Sequence, residues 1–359
     1  MNKTVIKNAS LNGKICNIEC ENGIITSINN DKGVCGYDAD GKTIIPGLIE
    51  VHAHGCNGMD TLDGNFEPMC DFLARNGTTT WLPTTMTTDT ETLIAVTHKK
   101  TDFPGTHIAG FHLEGPYISP KYKGAQNEAH IKAPSYEEFT RFNNVKMITI
   151  APEQPGSMDF IRRITAEGVV ASIGHSDANY DTSIEAMNAG VACLTHTFNR
   201  MPPLHHRDPG PIAAASEKGI WAQVITDGIH VHKSMILSAL KMFGKDRLTL
   251  ISDAIRPAGL PEGTVSESGG IPVVVRDGAV YLEGTDTLAG SGATLWKCVK
   301  YCVSIGISFE DAVTMATKTP AKMLGLNKGE IREGFDADLL IVNDKMEIED
   351  VFVSGMRYE

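Results

Sequence analysis

The chain opens with short runs in which apolar and polar residues alternate, and alternation with period 2 predicts half-buried strands. "KICNIEC" and "IITSI" flank turns at Asn12-Gly13 and Asn22-Gly23. Both residues of an Asn-Gly pair tolerate positive φ, so the N-terminal stretch predicts a β-meander of tight hairpins. From about residue 44 the pattern changes: compact apolar runs alternate with amphipathic stretches. The apolar runs are "TIIPGLIEVHAH", "TTTWLPTT", "HIAGFHLEG", "VKMITIAPE", "VVASIGHSD", "VACLTHTFN", "WAQVITDGIH" and "LTLISDA". Helical stretches lie between most of them, and "EPMCDFLARNG", "DFIRRITAEG" and "SIEAMNAG" each end on glycine, a favoured helix stop. Eight β–α repeats over residues 47–326 predict an α/β protein built as a (β/α)8 TIM-like barrel, for which about 250 residues is typical. A doubly wound sheet is the alternative, because a strand count does not close a barrel.

Beyond the eighth run, "IPVVVRDGAVYLEG" with its Asp277-Gly278 turn predicts an inserted hairpin, and "SFEDAVTMATKTPAKMLG" predicts a helix. "GEIREGFDADLLIVND" and "IEDVFVSG" return to strand-like patterning. These runs are expected to pair with the N-terminal meander. A small β-sandwich would then draw residues 1–46 and 327–359 from both ends of the chain, with the barrel at 47–326 between them. No internal repeat or low-complexity tract is visible.

Composition narrows the function without choosing it. The 359 residues are 42% hydrophobic and 21% charged, and the formal net charge is −12. An acidic surface disfavours nucleic acid and anionic membranes as partners. No secretory or membrane-spanning apolar stretch is seen, so a cytoplasmic protein is expected. The 8 cysteines contain no CxxC pair and are expected to be reduced thiols. Cys56 alone stands near a candidate site.

That site emerges from a repetition. His52 and His54 end the first apolar run, Glu114 the third, His175 the fifth, His196 the sixth and Asp253 the eighth, while His230 follows the seventh. In a (β/α)8 barrel these ends open onto one face, where active sites sit. Residues two apart on a strand share a face, so both imidazoles of "HAH" can turn toward one ion. Glu114, beside Gly-Pro, is placed to ligate and to bridge two ions. His112 shares its face and reads as a core or supporting residue. Three or more histidines with carboxylates and no thiolate motif suit Zn or Fe(II) alike. Asp253 suits a general base that afterwards acts as general acid. A basic loop, "FNRMPPLHHRDPG", stands out in an acidic chain and points to anion recognition by Asn199, Arg200, His205, His206 and Arg207. Arg207 and His230 are candidates for holding a phosphate.

"PGLIEVHAHG", "HLEGPYISPKYKGAQN", "IGHSDA", "THTFNRM", "DGIHV", "SDA" and "LAGS" resemble, in order and over nearly the whole chain, the N-acetylglucosamine-6-phosphate deacetylase family of the amidohydrolase superfamily. "HLEGP" and "THTFNRM" are far more specific than HxH. The resemblance implies the barrel with its β-sandwich, a homodimer, and metal-dependent hydrolysis of the N-acetyl group of N-acetylglucosamine 6-phosphate. It implies one or two divalent ions per subunit, zinc first among them. Glu114, His175 and His196 match the family's main ligands, with His52 and His54 as a second set, and Asp253 matches the catalytic acid/base. Ala125, Gln126, Asn199, Arg200, Arg207, Asp227, His230, Leu288, Ala289 and Gly290 match substrate positions, with Arg207 reaching the neighbouring subunit's site. Some members carry His where this chain has Gln126, and some lack HxH. A deacetylase for N-acetylgalactosamine 6-phosphate, a cyclic-amide hydrolase and a catalytically silent sugar-phosphate-binding barrel are the alternatives.

Overall fold

A computed structural model describes residues 3–31, 33, 35–268, 270–276 and 278–359. Eight parallel strands form its centre: β1 (Leu48–Ala53), β2 (Thr78–Thr85), β3 (Phe111–Glu114), β4 (Val145–Ile150), β5 (Val170–Ile173), β6 (Cys193–Leu194), β7 (Trp221–Ile225) and β8 (Leu248–Ile251). Each pairs with the next, and β1 pairs with β2. A short strand, His107–Ile108, runs beside β2 as a lead-in to β3. Closure excludes the doubly wound alternative. The Asp253 N–H donates to His52 O at 3.0 Å, and Ala53 bridges Ala254 in parallel. β1, β2 and β8 are buried at every position, as strands covered on both faces must be.

The expected glycine stops hold. Helix Glu67–Arg75 runs into Asn76 and Gly77, Ser157–Ala166 ends before Gly168, and Tyr180–Ala189 ends at Gly190, each glycine with positive φ. The stretch predicted as one late helix is two, Phe309–Ala316 and Lys318–Leu324, broken at Thr317. Pro320 explains the break: it has no N–H to donate back to Ala316.

Both chain ends enter one eight-stranded sheet. Its order is 356–358, 348–353, 339–342, 43–46, 3–11, 14–21 and 24–29, with Tyr37–Asp38 beside strand 3–11. The Asn-Gly hairpins lie where expected, with φ of 51 and 76° at Asn12-Gly13 and 51 and 83° at Asn22-Gly23. The sheet curls over its own core of Ile6, Ile18, Ile25, Ile44, Leu339, Ile341 and Phe352, and Ile24 bridges Asp336 across the fold. The sandwich is thus one rolled sheet. The hairpin after β8 belongs to a four-stranded sheet of Val265–Ser268, Ile271–Arg276, Ala279–Leu282 and Leu288–Gly290. Asp277 of its expected turn lies outside the described residues. Among the described residues no helix is long and apolar enough to cross a membrane, and all eight cysteines are free. Cys56 is buried in an apolar cluster, where burial pushes its thiol above the ordinary range, so it makes a poor thiolate ligand.

Candidate active site

Strand geometry brings the expected polar residues to one mouth. His52 lies on β1 and His54 directly follows it, and both imidazoles turn toward Glu114. Glu114 closes β3, while His175, His196 and Asp253 follow β5, β6 and β8 within two residues. All six are buried or nearly so. The Glu114 carboxylate is the hub: Oε1 lies 3.2 Å from His52 Nε2, 3.3 Å from His175 Nε2 and 3.0 Å from His196 Nε2. Oε2 lies 3.4 Å from His54 Nε2. Asp253 Oδ1 stands 3.5 Å from His52 Nε2 and 3.3 Å from His54 Nε2. Two ligand groups result, His52–His54–Glu114 and Glu114–His175–His196, sharing the one carboxylate.

Outer partners orient three of the rings. His52 Nδ1 donates to Gln223 Oε1 (3.0 Å), His54 Nδ1 to Thr84 O (3.2 Å) and His175 Nδ1 to Tyr122 O (2.9 Å). In the neutral tautomer each Nε2 then keeps its lone pair, aimed at the centre. This is the arrangement of metal-bound histidine, whose other nitrogen is held by an oxygen. His52 Nε2 finds no well-aligned hydrogen-bond partner, and His196 Nε2 sits only 3.1 Å from His175 Nε2. Converging lone pairs around a buried carboxylate fit a divalent cation. His112 differs, because Val51 O and Thr149 Oγ1 satisfy both its nitrogens. Burial, reinforced by His52, keeps it neutral, so it is a supporting residue as expected.

Charge follows the same geometry. Burial opposes ionisation of Glu114, but His175 and His52 outweigh it and hold its carboxyl well below the usual range. Burial likewise opposes charge on Asp253, and His52 and His54 again win. His52 is pulled down by burial and up by Glu114 and Asp253, reaching about 9. Glu50, beneath the site, is pushed up by burial to about 7.

A pocket of about 400 Å³ opens over this cluster. Its walls include His54, Glu114, His175, His196 and Asp253, with Ala125, Gln126, Asn199, Arg200, His230, Leu288, Ala289 and Gly290 around them. Among the expected contacts, Gln126 lines the pocket, whereas Asp227 and Arg207 do not. Asp227 does not line the pocket; its carboxylate accepts from the Ile229 and His230 N–H groups and holds His230 Nδ1 at 2.6 Å. Arg207 is exposed, beside His206, outside the pocket of its own chain. Gln126 has both ends engaged: its carbonyl accepts the Thr87 N–H at 2.6 Å and its amide donates to Glu114 Oε2. Close approach matters at Gly124 (φ 60°), where a Cβ would stand 2.6 Å from Arg200 Nε. Met86, Phe198, Ile225 and Asp286 also line the pocket and were not anticipated. Of these, Phe198 lies within "THTFNRM" and Asp286 two residues before "LAGS", so both had a nearby signal.

Residues 43–357 match the amidohydrolase family. The chain is 34% identical to an N-acetylglucosamine-6-phosphate deacetylase of Lysinibacillus sphaericus, over 90% of this chain and 87% of that one. It is 30% identical to an N-acetylgalactosamine-6-phosphate deacetylase of Escherichia coli O157:H7, over 89% and 88%. The crystal structure of N-acetylglucosamine-6-phosphate deacetylase from Thermotoga maritima superposes with a TM-score of 0.90 at 31% identity, covering 99% of both chains. Barrel, ligand cluster and kinship agree, and the chain belongs to the amidohydrolase family.

Proposed function

We propose that this enzyme hydrolyses the N-acetyl group of N-acetylglucosamine 6-phosphate, giving glucosamine 6-phosphate and acetate. The observation that carries the reading is Asp253 Oδ1 beside a histidine–carboxylate cluster at the floor of a pocket with basic groups on its wall. Glu114, His175 and His196 would hold one divalent ion, and His52 and His54 with Glu114 a second; zinc suits both sets, and Fe(II) suits them too. When bound, the cation polarises the acetamide carbonyl and makes water more acidic.

The chain's own residues do the rest. The Asp253 carboxylate takes the proton of the attacking water as the C–O bond forms. Protonated Asp253 then delivers that proton to the amine nitrogen as the C–N bond breaks, without which the amide anion would be a very poor leaving group. Asn199, Arg200 and His230 are assigned to the sugar phosphate. Burial lowers His230, but the Asp227 carboxylate more than offsets this and favours the imidazolium that a phosphate prefers. Binding energy from this remote group can hold the amide in reacting geometry, so its loss should lower turnover as well as affinity.

A homodimer fits the surface. Leu204, Ile229 and Met235 expose large apolar side chains on the segments after β6 and β7, and Arg207 is exposed on the first of these segments. A second copy docked there would cover them and let Arg207 reach the neighbouring pocket. The free thiols suit a cytoplasmic location. Acetate release from a panel of N-acetylglucosamine and N-acetylgalactosamine, each with and without the 6-phosphate, tests the assignment. Preference for the galactosamine epimer, or indifference to the phosphate, would replace it.

A further inference from the structure

Glu50 is a buried carboxylate to which the mechanism gives no task. It is 1% exposed, and each of its two oxygens accepts a backbone N–H. Oε1 accepts the N–H of His52 at 3.0 Å, and Oε2 accepts the N–H of Ser252 at 3.0 Å. A carboxylate is strongly disfavoured in the interior unless hydrogen bonds replace its water, and charge-assisted N–H bonds do so best. The location gives these bonds meaning. His52 lies on β1, and Ser252 directly follows β8. Between those strands the barrel closes on an isolated bridge, Ala53 to Ala254, and a few irregular bonds. By contrast, β7 and β8 pair at four successive positions. Glu50 supplies the acceptors that a neighbouring strand's carbonyls provide elsewhere, and it does so one residue before Asp253.

We propose that Glu50 is a positioning residue: its carboxylate clasps β1 to β8 and so fixes Asp253 against His52 and His54. The inference rests on the reading of Asp253 as the proton-transfer group and of the two histidines as ligands. It deepens that reading by naming what holds the two strands in register. The chemistry of the clasp is specific. An amide at this place offers one acceptor and one donor, so one of the two N–H groups would face another N–H. Aspartate keeps two acceptors on a shorter stem.

The test compares E50Q, E50D and the unsubstituted full-length enzyme, each loaded with Zn2+. Ion stoichiometry, kcat, KM and Tm are measured on N-acetylglucosamine 6-phosphate. E50Q should lose about 100-fold in kcat, the scale of an ångström misplacement in a reacting site. Its KM should change little, because the phosphate is held on segments after β6 and β7, and it should bind the second ion more weakly. E50D should recover most of the lost kcat. A merely structural role would lower Tm and leave kcat per folded molecule intact, and that result overturns the proposal. So does an E50D variant no better than E50Q. Should E50Q fail to fold, amide hydrogen exchange in the unsubstituted protein decides: the His52 and Ser252 N–H groups should exchange as slowly as those within β7 and β8, and fast exchange refutes the clasp. An unsubstituted enzyme that binds Zn2+ yet releases no acetate would refute the deacetylase reading alone. Ion stoichiometry in E50Q and amide exchange would still judge Glu50.

Discussion

Asp253 concentrates several pressures in one residue. It is bound by two histidines, anchored through its backbone to His52, and forced to φ 51°. His175 and His196 share this left-handed backbone, at 46 and 29°. Such conformations cost about 1–3 kcal/mol each outside glycine, and they collect where function needs an awkward aim. Asp253→Asn keeps the shape but cannot accept the proton. It should keep its metal content by elemental analysis and lose about 10²–10⁴-fold in kcat, the usual worth of a general acid–base group. Near-normal turnover would remove Asp253 from the mechanism. His230 offers a pH experiment. Burial draws it down and Asp227 draws it up, with a net rise above 6.5. Asp227→Asn removes the upward pull, so the imidazolium should be lost at lower pH. The alkaline limb of kcat/KM for the phosphorylated substrate should shift toward acid, and an unmoved limb would deny His230 its charged role. These residues were legible only in part. A histidine or carboxylate ending an apolar run announces itself, as did His175, His196 and Asp253. Glu50 stood in plain view in "PGLIEVHAHG", but its meaning depends on Ser252, 202 positions away. Gln126 matched a substrate position by resemblance and lines the pocket, but its bonds to Thr87 and Glu114 come from folding.

β1 carries a separate question, since it contributes two ligands of one group and none of the other. His52→Ala should reduce bound metal by one equivalent while Glu114, His175 and His196 keep theirs. Unchanged stoichiometry by mass spectrometry would leave this a one-ion enzyme. The inserted sheet behaves as a different kind of element. Its hydrophobic cluster comprises Ile255, Val273 and Val280, yet its last strand sets Leu288, Ala289 and Gly290 in the pocket wall. Few buried contacts mean low local stability. Amides of strands 271–276 and 279–282 should exchange early, and more slowly once a substrate analogue is bound; equal rates would show that the sheet is indifferent to the ligand. Patterning predicted this hairpin and the barrel strands because both are local signals of period 2 or continuous burial. It overlooked the break at Thr317, where apolar spacing runs straight through, and it left the sandwich's true form open, because rolling is a property of register between distant strands.

Across the molecule, the cluster couples stability to both metal and protons. Without a cation, the fold favours the His52 imidazolium up to about 9, above its ordinary 6.5. That contribution is complete below pH 6.5 and is lost as pH climbs through 9. A bound ion demands neutral imidazole instead, so metal affinity rises over the same interval. The Tm of chelator-treated protein should therefore fall between pH 6.5 and 9 while the gap to the metal-loaded form widens. Parallel curves would show that the cluster does not report the ion. The rolled sheet has a consequence in time. Strand 43–46 pairs with strand 339–342, so nearly 300 residues separate partners that lie side by side. As the chain leaves the ribosome, at about 5–20 residues per second, the N-terminal meander must wait tens of seconds with an open strand edge. The barrel can assemble during that wait. Strand 339–342 and those after it then dock on the first strands, and their emergence becomes the step that seals the fold.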